Sequence, residues 1–171
     1  MKIRQATNRD TRIISNIHAS SWKIAYKDIV PQRYLDELQY DFWVSAFQNW
    51  ISNNILTAQL IYDNQIPVGC IAYGKSRDKK FSEWGEIVSL YVLPGYFRKG
   101  YGQKLLETAL NDLKEKGFQN CYLWVLKENH NARKFYQKNG FRCNNDELIC
   151  EIMHKKLTDI RYIFSLNNYT K

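Results

Sequence analysis

The sequence predicts a single-domain mixed α/β fold, and three observations predict it. Hydrophobic periodicity alternates along the chain between helical and strand spacing, in the order β, helices, ββ, β, α, β, α, β. Two nearly continuous apolar runs, EIVSLYVL (86–93) and CYLWVL (121–126), each lead through a turn into an amphipathic helix. The length of 171 residues, 44% of them hydrophobic, fits one buried core, and neither an internal repeat nor a linker interrupts it.

The elements follow in order. KIRQAT (2–7) is a short strand, and Thr7-Asn-Arg-Asp10 resembles a capping box with Asp in place of Glu, so a helix begins there. Ile13, Ile14, Ile17 and Ser21 share one face of that helix. Pro31 suits the first turn of a second, short helix carrying Tyr34, Leu35 and Leu38. Phe42, Trp43, Phe47, Trp50 and Ile51 mark a third. TAQLIY and PVGCIAYG form a hairpin around Asp63-Asn64-Gln65, and KSRDKKFSE (75–83) is a charged loop.

Residues 86–93 should be a strand buried on both faces. Leu105, Leu106, Ala109, Leu110 and Leu113 stripe a helix ending near Gly117. Residues 121–126 give another buried strand, 131–139 a helix stopped at Gly140, and LICEIMHKKL (148–157) a final strand.

Composition excludes several functions. No apolar run approaches the roughly 18 residues of a membrane span, and MKIRQATNRD lacks a signal-peptide core, so a cytoplasmic protein with no membrane partner is expected. Cys70, Cys121, Cys143 and Cys150 form no C-x-x-C pair and no metal-like cluster with His18, His130 or His154; no metal is expected. The formal charge of +8 favours an anionic partner. The cations are scattered rather than blocked, which argues against nucleic acid and suits a phosphate-bearing cofactor or a merely solvated basic surface.

PGYFRKGYGQKLL (94–106) sets two glycines and two cations between a strand and a helix. It is no Walker A loop, because Tyr101-Gly102 stand where Lys and Ser/Thr belong. Nor is it a dinucleotide fingerprint, whose third glycine would fall on Leu105. A glycine-bearing turn into a helix still lets backbone N–H groups converge on an anion, or it is only a tight turn.

Two motifs carry a family resemblance. Leu90-Tyr-Val-Leu-Pro94-Gly-Tyr-Phe-Arg98-Lys-Gly100-Tyr-Gly102 resembles the acetyl-coenzyme A signature of the GCN5-related N-acetyltransferase (GNAT) superfamily, with Phe97 departing from its leading Gln/Arg. Asn129-His-Asn-Ala132-Arg-Lys-Phe135-Tyr136-Gln-Lys-Asn-Gly140-Phe141 is similar to its second helix motif. The resemblance spans about residues 1–157, and 158–171 remain a tail with no assigned role.

The resemblance implies a mostly antiparallel, splayed sheet with helices on both faces, and acetyl-coenzyme A as cosubstrate. It implies cofactor contacts from the Leu90, Tyr91 and Val92 backbone, from Arg98, Lys99, Gly100, Tyr101, Gly102 and Gln103 at the turn, and from Asn129. It also implies Tyr136 as the general acid, acting first as a hydrogen-bond donor to the leaving thiolate and as a proton donor only if its pKa is lowered. Glu86, fourteen residues before Gly100, stands where the histone acetyltransferase branch has its base. The ribosomal-protein branch places its base five residues before the motif asparagine, here Trp124.

The acceptor should meet Trp22, Tyr26 and Tyr34, with Asp28, Asp36 and Glu37 nearby, since aromatics with carboxylates suit an ammonium. The expected activity is direct N-acetylation of a primary amine on a small molecule (polyamine-like, antibiotic or amino-acid analogue) or on a peptide, in a monomer or homodimer. A coenzyme A binding module without turnover and a basic nucleic-acid binder are the alternatives.

Overall fold

The computed structural model describes residues 1–167 and 169. Seven strands, β1 (Lys2–Gln5), β2 (Thr57–Asp63), β3 (Ile66–Lys75), β4 (Gly85–Val92), β5 (Asn120–Leu126), β6 (Arg142–Ile152) and β7 (Lys155–Ser165), form one sheet in the order β1-β2-β3-β4-β5-β7-β6. All neighbours run antiparallel except β4 and β5. The helices are α1 (Thr11–Ala25), α2 (Gln32–Glu37), α3 (Val44–Ser52), α4 (Tyr101–Glu115) and α5 (His130–Lys138). None of the described helices is long and apolar enough to cross a membrane.

The helices cover both faces, as expected. On one, the α4 stripe of Leu105, Leu106, Ala109, Leu110 and Leu113 packs with Ile71, Tyr73, Ile87, Leu123 and Tyr162. On the other, Ile14, Ile17 and Phe47 of α1 and α3 meet Ala58, Leu60, Cys70 and Ala72. Chain entry into α1 is fixed as the sequence suggested, for Asp10 accepts the Thr7 backbone N–H at 2.8 Å. It also takes two bonds from Arg4, at 2.9 and 2.7 Å, which hold its carboxyl far below the usual range.

The C-terminal reading needs correction. LICEIMHKKL is two strands, β6 and β7, folded back at Met153 and His154, both at positive φ (47° and 64°). Such turns normally use Asn or Gly, so Met-His carries no turn signal. Residues 158–165, left without a role by sequence, form most of β7 and lie between β5 and β6. Of the expected tail, positions 168, 170 and 171 lie outside the described residues. Strand β4 also departs from expectation, being buried at 85–87 but half-open over 88–91.

One buried polar residue makes stability depend on pH. His18 is 3% exposed, with Nδ1 2.9 Å from the Ile14 carbonyl and Nε2 3.0 Å from Ser89 Oγ. Burial pushes its pKa down from 6.5 to about 4. The folded value lies below the unfolded one, so stability is full above pH 6.5 and is lost as pH falls toward 4. The expected loss from His18 between pH 7.5 and 5 is about 2 kcal/mol. Urea titrations of the wild type and His18→Asn at both pH values read it, and an equal pH effect in both proteins would remove His18 as its source.

Candidate active site

A slot opens because β4 and β5 pair only briefly. Gly85, Glu86 and Ile87 register with Cys121, Tyr122 and Leu123, and the pairing then ends. At that point β4 bulges: Ala72 opposes Ser89 while Tyr73 opposes Ile87, which leaves Val88 over and re-aims the strand. Beyond the bulge, Leu93 donates to the Val68 carbonyl at 2.8 Å. Antiparallel alternation then turns Ser89 and Tyr91 toward β3, and the backbone groups of Leu90 and Val92 toward the slot. Ser21 Oγ of α1 donates to the Val92 carbonyl at 3.2 Å, leaving the Val92 N–H as a donor on that edge.

Helix α4 begins at the mouth of the slot. Gly100 caps it at φ +86°, in the left-handed region, and Arg98 just before sits at +60°. The first backbone bond back to the cap is Lys104 N–H to the Gly100 carbonyl, at 3.0 Å. Tyr101, Gly102 and Gln103 therefore present N–H groups without an intrahelical acceptor, at the positive helix end. A Cβ on Gly102 would lie 3.6 Å from Leu90 and Phe135 side chains, so the helix runs close against β4 and α5.

The side chains of the turn are placed unevenly. Lys99 Nζ stands 5.2 Å over the Tyr96 ring, and Gln103 donates to Glu107 at 3.0 Å; both are exposed. The Tyr101 ring is buried edge-on to Tyr96, so only its backbone faces the mouth. Across the slot, Asn129 caps α5, its Oδ1 accepting the Ala132 N–H at 3.1 Å.

Tyrosines from both faces meet at the inner end. Tyr26 and Tyr91 hydroxyls lie 3.1 Å apart, and Trp22 Nε1 donates to Tyr91 at 2.9 Å. Tyr91 therefore offers the slot its backbone, while its ring joins the α1 side. Tyr136 of α5 is 9% exposed, and its phenol acts electrostatically with Tyr26 and Tyr91. Burial, with Tyr26 adding to it, raises the Tyr136 pKa and keeps the hydroxyl protonated. Among the described residues none accepts its hydrogen bond. Trp22 packs on Tyr26 at 4.7 Å and Tyr34 at 6.2 Å, so the three aromatic acceptor candidates come together.

The carboxylates named with them do not. Asp36 accepts from Gln32 at 2.8 Å and Glu37 pairs with Arg33 at 2.8 Å, on the exposed side of α2, and Asp28 is exposed as well.

Glu86 is buried to 3% exposure where β4 and β5 still pair. Arg77 gives it three bonds, from its backbone N–H (3.0 Å), Nε (3.1 Å) and Nη2 (2.7 Å). Both oxygens are thus engaged by the β3–β4 loop.

The sequence reading missed two groups supplied by β7. Arg161 is 4% exposed, pairs with Asp78 at 2.7 Å and lies against Phe81, Tyr122 and Trp124, at 4.0, 4.9 and 4.4 Å from the ring centroids. Asp159, in register with Leu126, joins the face where Tyr26 packs. Both lie within residues 158–171, which no sequence motif covers.

A strand splayed at a bulge, edge groups turned into the gap and a left-handed glycine at a helix start suit a pantetheine arm and its pyrophosphate. The acetyltransferase (GNAT) family profile matches residues 21–141. The chain belongs to that family. It is an acetyl-coenzyme A-dependent N-acetyltransferase. A spermidine N(1)-acetyltransferase of Thermoplasma acidophilum is 28% identical, covering 91% of this chain and 97% of its own. A ribosomal protein bS18-alanine N-acetyltransferase of Haemophilus influenzae is 31% identical over 75% and 80% of the two chains. The PaiA N-acetyltransferase of T. acidophilum, solved with coenzyme A, superposes with a TM-score of 0.75 at 22% identity, covering 92% and 96%.

Proposed function

We propose that this GNAT enzyme transfers acetyl directly from the thioester to a primary amine on a small cationic molecule, polyamine-like in character. The observation that carries the reading is the meeting of the slot with the Trp22, Tyr26 and Tyr34 wall at Tyr136. The thioester would lie against the Leu90–Val92 edge with the pyrophosphate at Arg98–Gln103. Asn129, whose oxygen caps α5, would reach the cofactor through its amide nitrogen.

The amine lone pair attacks the thioester carbonyl carbon, the Val92 N–H stabilises the developing oxyanion, and the C–S bond then breaks. The nitrogen loses a proton to a base and the sulfur leaves as thiolate. Tyr136 donates a hydrogen bond to that thiolate. Its raised pKa suits a donor that stays neutral better than an acid that gives up its proton.

The base has a substantial task, since an alkyl ammonium with pKa about 10.4 is neutral only about once in 2,500 at pH 7, a handicap of about 4.6 kcal/mol. Glu86 would take this proton through water, because Arg77 holds both its oxygens.

Peptide acetylation is the weaker reading: Trp124 stands where the ribosomal-protein branch has its base, and its ring covers Arg161. The test is free thiol release from acetyl-coenzyme A with separate pools of polyamines, aminoglycosides, amino acids and basic peptides. Release with the polyamine pool is expected. Release with peptides alone would overturn the small-molecule assignment, and release with no pool would overturn amine transfer.

A further inference from the structure

Asp159 is a half-buried carboxylate for which the described residues supply neither a cation nor a hydrogen-bond donor. In β7 it is in register with Leu126 of β5 and Leu148 of β6, which puts the three side chains on one face. Leu126, Leu157 and Cys150 on that face pack against Trp22, Tyr26 and Tyr34. The Asp159 charge acts on Tyr26, and Tyr26 acts on Tyr136, a buried residue whose hydroxyl has no partner among the described residues. Leu126 also lies beyond Leu123, the last β5 residue paired with β4, so Asp159 stands beside the part of β5 that has parted from β4.

The groups around Asp159 can be named from each packed element. Glu128, from the turn after β5, adds a second negative charge. Tyr26 at the end of α1 and Cys150 of β6 both have raised pKa values, chiefly through burial, and stay neutral. Arg161, two residues on and on the same face of β7, is turned to Asp78 at 2.7 Å, and Lys127, next to Glu128, is turned to Glu147 at 2.9 Å. Among the described residues, two carboxylates and three aromatic rings thus have no positive partner, in a protein of net charge +8. General electrostatics would repel a cationic acceptor, so capture of one needs local negative charge at this place.

We infer that Asp159, assisted by Glu128, binds an ammonium group of the acceptor beside the Tyr26 ring, and so selects aliphatic amines carrying two or more positive charges. This rests on the reading of the slot as an amine-acetylating site, but it has a readout that needs no turnover. Asp159 is the specificity-determining residue, and Tyr136 and the Val92 N–H remain the groups at the thioester.

The experiment is calorimetric titration of coenzyme A-saturated protein with spermidine as probe, for the wild type, Asp159→Asn and Glu128→Gln. Asp159→Asn should weaken spermidine binding ten-fold or more, as expected for a lost charge-assisted contact, and leave coenzyme A affinity within two-fold. Burial, with Glu128 adding to it, pushes the Asp159 carboxyl up to about 6. Wild-type affinity should therefore fall between pH 7.5 and 5.5, where spermidine itself stays fully charged, and Asp159→Asn should be flat over that range. Should Asp159→Asn fail to fold, the wild-type pH dependence and Glu128→Gln still decide. Unchanged spermidine affinity in Asp159→Asn, a wild type that binds aminopropane as well as spermidine, or no wild-type binding at millimolar spermidine would overturn the assignment. Spermidine binding that depends on Asp159 without thiol release would instead overturn acetyl transfer and leave the ammonium site standing.

Discussion

Gly100→Val should weaken acetyl-coenzyme A binding by ten-fold or more and lower stability by about 1–3 kcal/mol. The cause is local, for φ at Gly100 is +86°, and a β-branched side chain there crowds its own backbone even though the space around it is open, the nearest atom being 3.8 Å away. A valine relieves the crowding only by rotating the turn. That swings the N–H groups of Tyr101, Gly102 and Gln103 off the point where they converge. Gly117→Ala supplies the control, because Gly117 sits at φ +88° just past the other end of the same helix, with nothing within 4 Å of a new Cβ. That variant should lose stability comparably and keep its cofactor affinity. Calorimetric titration with acetyl-coenzyme A reads both, and undiminished affinity in Gly100→Val would refute an anion site at this helix start.

What the sequence disclosed and what it hid divide along physical lines. The α4 stripe, the Thr7–Asp10 cap and the Asn64-Gln65 hairpin turn were legible because each is a local pattern whose partner lies within a few residues. The splay was legible only through the family motifs. Nothing in EIVSLYVL says that pairing with β5 stops at Ile87, since that depends on a bulge at Val88 and on where β5 goes next. The half-exposure of residues 88–91, which an apolar run would not suggest, follows from the same departure.

The β6–β7 hairpin was hidden because Met153 and His154 adopt positive φ without the residues that favour it. Losing that turn also removed Asp159 and Arg161 from view. The Arg77–Glu86 pair was likewise invisible as a fixed contact. The loop between them doubles back so that Ser76 N–H reaches the Trp84 carbonyl at 2.9 Å, a closure no spacing announces.

Tyr136→Phe should lower kcat about 10- to 100-fold and leave both acetyl-coenzyme A affinity and stability nearly unchanged. The size follows from the role, since a hydrogen bond to a charged group contributes about 1.5–3 kcal/mol, and here that charge exists only as the C–S bond breaks. An interaction made in the transition state alone appears in kcat and not in ground-state binding. Stability is spared because no described residue accepts a bond from this hydroxyl, so removing it strands no partner, and phenylalanine keeps the ring contacts with Phe135 and Phe141. The pH profile separates two chemical roles. If Tyr136 gave up its proton and had to regain it, activity would depend on its ionisation. Because burial raises its pKa, a neutral donor leaves the alkaline limb of kcat to other groups, and that limb should be the same in Tyr136→Phe. Pre-steady-state measurement of thiol release gives the rate of the chemical step directly. An unchanged rate would take Tyr136 out of the reaction, and a loss confined to cofactor affinity would make it part of the slot wall instead.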